Sequence, residues 1–109
     1  MTFAALRSLG LAVAATILLS LGAAPAQAEE FQVTIDNFTF TPAEVKAKIG
    51  DTVTWTNHDD IPHTAVSAGK FRSKAMDTGD KFSFTFTAAG DYKYFCSLHP
   101  HMTGMIKVE

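Results

Sequence analysis

One cysteine, Cys96, is the whole thiol content of this 109-residue chain. A single thiol excludes an intrachain disulfide, the usual staple of a small exported domain. Charge of one sign is lacking too. Nine Lys/Arg face eleven Asp/Glu, a formal net charge of −2, so nothing argues for binding to nucleic acid or to an anionic membrane surface. There is no internal repeat, no low-complexity tract, no linker and no convincing amphipathic helix. The length suits one small domain and not two.

Long hydrophobic runs are also scarce. The only one is Leu9–Gly22, LGLAVAATILLSLG. It follows a short segment carrying one positive charge, Arg7, and it precedes Pro25-Ala26-Gln27-Ala28. Ala26 and Ala28 fit the small-residue cleavage rule, so residues 1–28 read as a secretory signal peptide. The run is short for a spanning helix, which needs roughly 20 apolar residues. Cleavage after Ala28 predicts a mature domain over residues 29–109, exported and with no stable membrane association. Without Arg7 it carries eight Lys/Arg against eleven Asp/Glu, a formal charge of −3. A core of this size is marginal on its own. A lone thiol in an exported protein is open to oxidation unless something occupies it. A buried, inert thiol is the alternative.

The mature chain alternates with a period of two. Phe31, Val33 and Ile35 are interleaved with polar residues, as are Val53 and Trp55, then Phe82, Phe84 and Phe86, then Tyr92, Tyr94 and Cys96, and finally Met105 or Ile106 with Val108. This pattern marks strands with one face on a core. Val45, Ala47 and Ile49 add a short strand where a helical turn was the other option. Turn signals at Thr41-Pro42, Gly50-Asp51, Asn57–Asp60, Ala68-Gly69, Thr78–Asp80 and Ala89–Asp91 separate the segments. About seven short strands with tight turns predict an all-β fold, an antiparallel Greek-key β-sandwich.

The segment Tyr94–Met105, YFCSLHPHMTGM, places Cys96, His99 and Met102 at intervals of three. A straight strand would throw alternate side chains to opposite faces. A loop, supported by Pro100 and Gly104, can aim all three at one point. Thiolate, imidazole and thioether are soft to intermediate donors. A His₂Cys set with a weak axial Met selects copper, in a mononuclear electron-transfer site. Zinc rarely takes Met, and calcium and magnesium want oxygen. The second histidine is His58, His63 or His101. His63 follows Pro62 at the entry to Thr64-Ala65-Val66 and is favoured. His58 stands in a polar turn beside Asp59 and Asp60, and His101 should point outward. Met102 is favoured over Met105, which lies beyond Gly104 where the chain re-enters a strand and reads as core.

Four histidines are too few for the extra clusters of a multicopper enzyme, and one cysteine excludes a dinuclear two-thiolate centre. The chain therefore reads as a binding protein and not an enzyme. Copper delivery through a more open site, drawing on His58, His101 and Met105, is the serious rival. A structural zinc domain is a weaker one.

These residues resemble the cupredoxins, the type 1 blue copper proteins, and the amicyanin type most of all. The resemblance rests on Gly50–Asn57 (GDTVTWTN), Ile61-Pro62-His63, Gly90-Asp91-Tyr92 and Cys96-Ser-Leu-His99-Pro-His-Met102. The short loop sets it apart from plastocyanins, pseudoazurins and azurins. The resemblance implies one copper ion cycling between Cu(I) and Cu(II) on His63, Cys96, His99 and Met102. It implies electron shuttling in the periplasm as a monomer, with redox partners such as a c-type cytochrome or a periplasmic dehydrogenase. Many members carry Asn directly after the first ligand histidine, tying the two ligand loops together; here Thr64 must serve. Backbone N–H groups near Cys96 should hydrogen-bond its sulfur. His99 should be the electron's exit, framed by Ile61, Pro62, Pro100 and His101, with Met102 as a further candidate.

Overall fold

The computed structural model describes residues 27–109, so all but the last two residues of the predicted leader lie outside the described residues. Nine strands follow in order: β1 (Glu30–Asp36), β2 (Thr39–Thr41), β3 (Glu44–Ala47), β4 (Thr52–Asn57), β5 (Val66–Ser67), β6 (Phe71–Arg72), β7 (Lys81–Thr85), β8 (Gly90–Phe95) and β9 (Thr103–Val108). They form two sheets, ordered β2-β1-β4-β7 and β3-β9-β8-β5-β6. The expected β-sandwich is present, and no helix among the described residues is long and apolar enough to cross a membrane.

Two pairings are parallel, β1 with β4 and β3 with β9; the others between named strands are antiparallel. Period-two alternation is the same in either direction, so the sequence pattern could not distinguish them. The parallel pairs come from connections that cross between the sheets. They also decide where the ends of strands meet. Because β1 and β4 run the same way, the turn after Asp36 and the loop after Asn57 emerge at one end of the sandwich. Phe95 of β8 reaches that end as well, opposite Val66.

The core follows the alternation. Val33, Ile35, Val53 and Trp55 of the first sheet face Tyr92, Tyr94, Ile106 and Val108 of the second, all of them buried. Trp55 lies between Val33 and Phe82 in register and meets the Tyr94 ring edge-on at 5.3 Å. Phe40 closes on Tyr94 at 4.7 Å. Such aromatic pairs add to the apolar burial that holds a small domain together. Tyr94 pairs with Gly104 across β8 and β9, and a Cβ at position 104 would overlap the Tyr94 ring. Glycine is required there for space. Burial pushes the Tyr94 phenol up to about 12, with the Trp55 indole acting in the opposite direction.

The far end of the sandwich is closed by Asp51, just before β4. Its carboxylate accepts the N–H groups of Glu29 and Lys48, both at 2.8 Å. Ile49 and Glu109 meet there too, the Ile49 N–H reaching the Glu109 carbonyl at 3.4 Å and the Glu109 N–H the Ala47 carbonyl at 3.0 Å.

Candidate metal centre

The first ligand loop starts from Asn57, the fully buried last residue of β4. Its side-chain amide donates to the carbonyls of Ile61 (2.9 Å) and Met76 (2.8 Å), and its oxygen accepts the Asp59 N–H at 2.9 Å. One amide thus folds residues 57–61 back on themselves. His63 is then held by an isolated antiparallel bridge to Met76, its N–H and C=O bonded to that residue at 3.1 and 2.8 Å. The expected strand entry at His63 is corrected accordingly: β5 begins only at Val66. The rigidity comes from the Met76 bridge as much as from Pro62.

The second loop, Cys96–Met102, bonds to itself. The Cys96 N–H donates to the Met102 carbonyl (3.1 Å), the His99 N–H to Cys96 (3.2 Å) and the Met102 N–H to His99 (2.9 Å). This tight winding is what turns side chains three residues apart toward one point. His63 Nδ1 and His99 Nδ1 lie 3.7 and 3.8 Å from Cys96 Sγ, and the three donor atoms all fall within 4.8 Å of one another. His63 and Cys96 are fully buried, while His99 is half-buried. Met102 is buried at the end of the same loop.

Thr64 joins the two loops. Its N–H points at Cys96 Sγ (3.3 Å), and its Oγ1 accepts the Ser97 N–H (2.7 Å) and contacts Ser97 Oγ (2.8 Å). The threonine therefore makes the cross-loop tie that the family resemblance assigns to asparagine. Burial alone would push the Cys96 thiol up. The Thr64 N–H, the rings of His63 and His99 and the Leu98 N–H outweigh it and bring the thiol down to about 6. The site therefore favours thiolate, the form that binds metal.

Other sequence-predicted residues are placed as follows. His58 and His101 are exposed and outside the cluster. Met105 sits on β9 opposite Lys93 and is half-buried, not a core residue. Met102 does not join the exposed frame around His99, because burial takes it inside. Pro62, Pro100 and His101 are exposed as expected. Two large apolar side chains that the sequence reading passed over, Leu98 (51 % exposed) and Phe38 (49 %), stand out beside them.

Asp59 was also passed over. Its Oδ2 lies 2.7 Å from His63 Nε2. A carboxylate only accepts, so Nε2 carries a proton, and Nδ1 is the ring nitrogen that faces the sulfur. The Phe38 N–H, against the counter-effect of burial and with help from Asn37 and His63, holds the Asp59 carboxyl down at about 2.

One thiolate and two imidazole Nδ1 atoms on a preformed scaffold, with a thioether residue on the same loop, fit one copper ion. A family model described as a cupredoxin-like domain matches residues 9–108, and the chain belongs to the cupredoxin family. It is amicyanin-like within it. Amicyanin-alpha of Methylorubrum extorquens is 36 % identical over 104 residues, covering 90 % of this chain and 86 % of that one. Among solved structures, a purple cupredoxin from Nitrosopumilus maritimus superimposes with a TM-score of 0.70 at 34 % identity, over 72 % of this chain and 99 % of its own. A copper-containing nitrite reductase from Thermus scotoductus gives 0.70 at 28 % identity, over 81 % of this chain but 24 % of the enzyme.

Proposed function

We propose that the protein is an exported, periplasmic carrier of single electrons, mature over residues 29–109 after removal of a signal peptide, with His63, Cys96, His99 and Met102 holding one copper ion. The observation that carries this reading is the convergence of the three donor atoms of His63, Cys96 and His99 within 4.8 Å of one another. Copper bound there supplies a one-electron couple between Cu(I) and Cu(II). The chain's own residues do the rest. The self-bonded loop and the Met76 bridge keep the donors nearly fixed, so a change of charge at the site entails little rearrangement. The Thr64 N–H supports the thiolate, which favours the reduced state. Met102, buried at the end of the same loop, would supply a weak thioether donor to the ion.

His99 is the exit, since it alone of the three clustered ligands reaches the surface. Leu98, Pro100 and Phe38 make an apolar surround suited to a small, brief contact with a redox partner. A c-type cytochrome or a periplasmic dehydrogenase fits that role, with the carrier acting as a monomer. The burial of His63 and Cys96 weighs against copper delivery, which needs ligands that an acceptor can reach. With His58 and His101 apart from the cluster, the chain has no second histidine group for catalysis.

Addition of Cu(II) to the purified protein tests the reading. One equivalent should bind and produce an intense blue thiolate-to-copper absorption that bleaches and returns with one electron. A colourless protein that passes Cu(I) to an acceptor would overturn electron transfer in favour of delivery.

A further inference from the structure

At the metal end, one carboxylate serves three donors. Asp59 Oδ1 accepts the Asn37 N–H at 2.7 Å. Its Oδ2 is shared between the Phe38 N–H at 3.0 Å and His63 Nε2 at 2.7 Å. Asn37 and Phe38 form the two-residue turn between β1 and β2, and both take positive φ, 50° and 59°. Such loops favour glycine or asparagine. A phenylalanine enters this conformation reluctantly, because its Cβ crowds the following carbonyl. The two turn N–H groups nevertheless meet an acceptor that is fixed from outside the hairpin.

The turn places the Phe38 ring against both imidazoles. It stands edge-on to His63 at a centroid distance of 5.3 Å and 83°, and to His99 at 5.0 Å and 88°. The other side of the ring is in water. We infer that Asp59 is a positioning residue of the metal centre, orienting His63 and seating Phe38 as a cover over both histidines against water and small ligands. The inference rests on reading the cluster as a copper site. Its physical content is coupling: one oxygen holds both a ligand and its cover, so loss of the carboxylate disturbs both, while loss of the ring disturbs only the cover.

The test compares Asp59→Ala, or Asp59→Leu should the alanine variant fail to fold, with Phe38→Ala, each in the full mature protein and checked for native circular dichroism. In metal-free protein, ¹⁵N NMR should find His63 protonated on Nε2 in the parent and in Phe38→Ala, and a mixture of tautomers in the Asp59 variant. With copper, the Asp59 variant should lose about ten-fold or more in affinity, the scale seen when the partner of a ligand histidine is removed. Phe38→Ala should keep affinity and absorption but surrender Cu(I) several-fold faster to a chelator. An unchanged His63 tautomer in the Asp59 variant, or parental chelation rates in Phe38→Ala, would overturn the inference. A parent protein that never turns blue overturns the copper reading instead, and the metal-free NMR experiment then still decides the role of Asp59.

Discussion

Two aspartates bracket β4, and they close the two ends of the sandwich in the same way. Asp51 stands just before the strand and accepts the N–H groups of Glu29 and Lys48. Asp59 stands two residues after it and accepts those of Asn37 and Phe38. Each ties one end of β4 to a neighbouring segment remote in sequence. The difference is a third partner. Asp51 meets only backbone, whereas Asp59 also holds the ring of His63. The same local device closes the fold at one end and orients chemistry at the other.

The largest effect that separates the ends should come from Cys96→Ala. The side chain is small and buried, so the cost in stability should be about 1 kcal/mol, read by denaturant unfolding of the metal-free protein. The blue absorption should vanish completely. A variant that retains it would remove the thiolate from the site. Next comes Thr64→Val, which keeps shape but removes the hydroxyl that accepts the Ser97 N–H. Losing that bond should cost about 1 kcal/mol. It should also lower the reduction potential as the loops loosen, measured by voltammetry on the copper form. An unchanged potential would mean that the Thr64 hydroxyl plays no part in setting the sulfur's environment.

The smallest effect belongs to the far end and to acid. The N–H groups of Glu29 and Lys48 hold the Asp51 carboxyl below its ordinary range, against burial and with a further contribution from the Lys48 charge. A carboxyl lowered in the fold stabilises it fully above the unfolded value of about 3.9, and that stabilisation is lost as pH falls through the lower folded value. Amide exchange at Lys48, relative to its intrinsic rate, should therefore quicken below about pH 4 in the parent. In Asp51→Asn it should be quick already at neutral pH, with the copper absorption untouched. Equal exchange in parent and variant at neutral pH would deny Asp51 its closing role.

What could be read without coordinates follows the same division. Cys96, His99 and His63 were legible because their chemistry resides in the residue type and the short loop spacing. The strands through Val53 and Trp55 or Tyr92 and Tyr94 were legible because burial imposes a period of two. Asp59 was not, since its partners lie 21 and 22 residues away and meet it only through the parallel pairing of β1 and β4. The β1–β2 turn was missed because Asn37-Phe38 lacks the glycine that usually announces such a loop. β5 and β6 are two residues each, too short for alternation to register.

The hydrogen bonds that gather Glu29, Ile49 and Glu109 beside Asp51 have a practical corollary. Residues 29 and 109 both sit on the side away from His99. A tether attached at either position, whether to an electrode or to a fused enzyme, orients the molecule with His99, the proposed exit, outward.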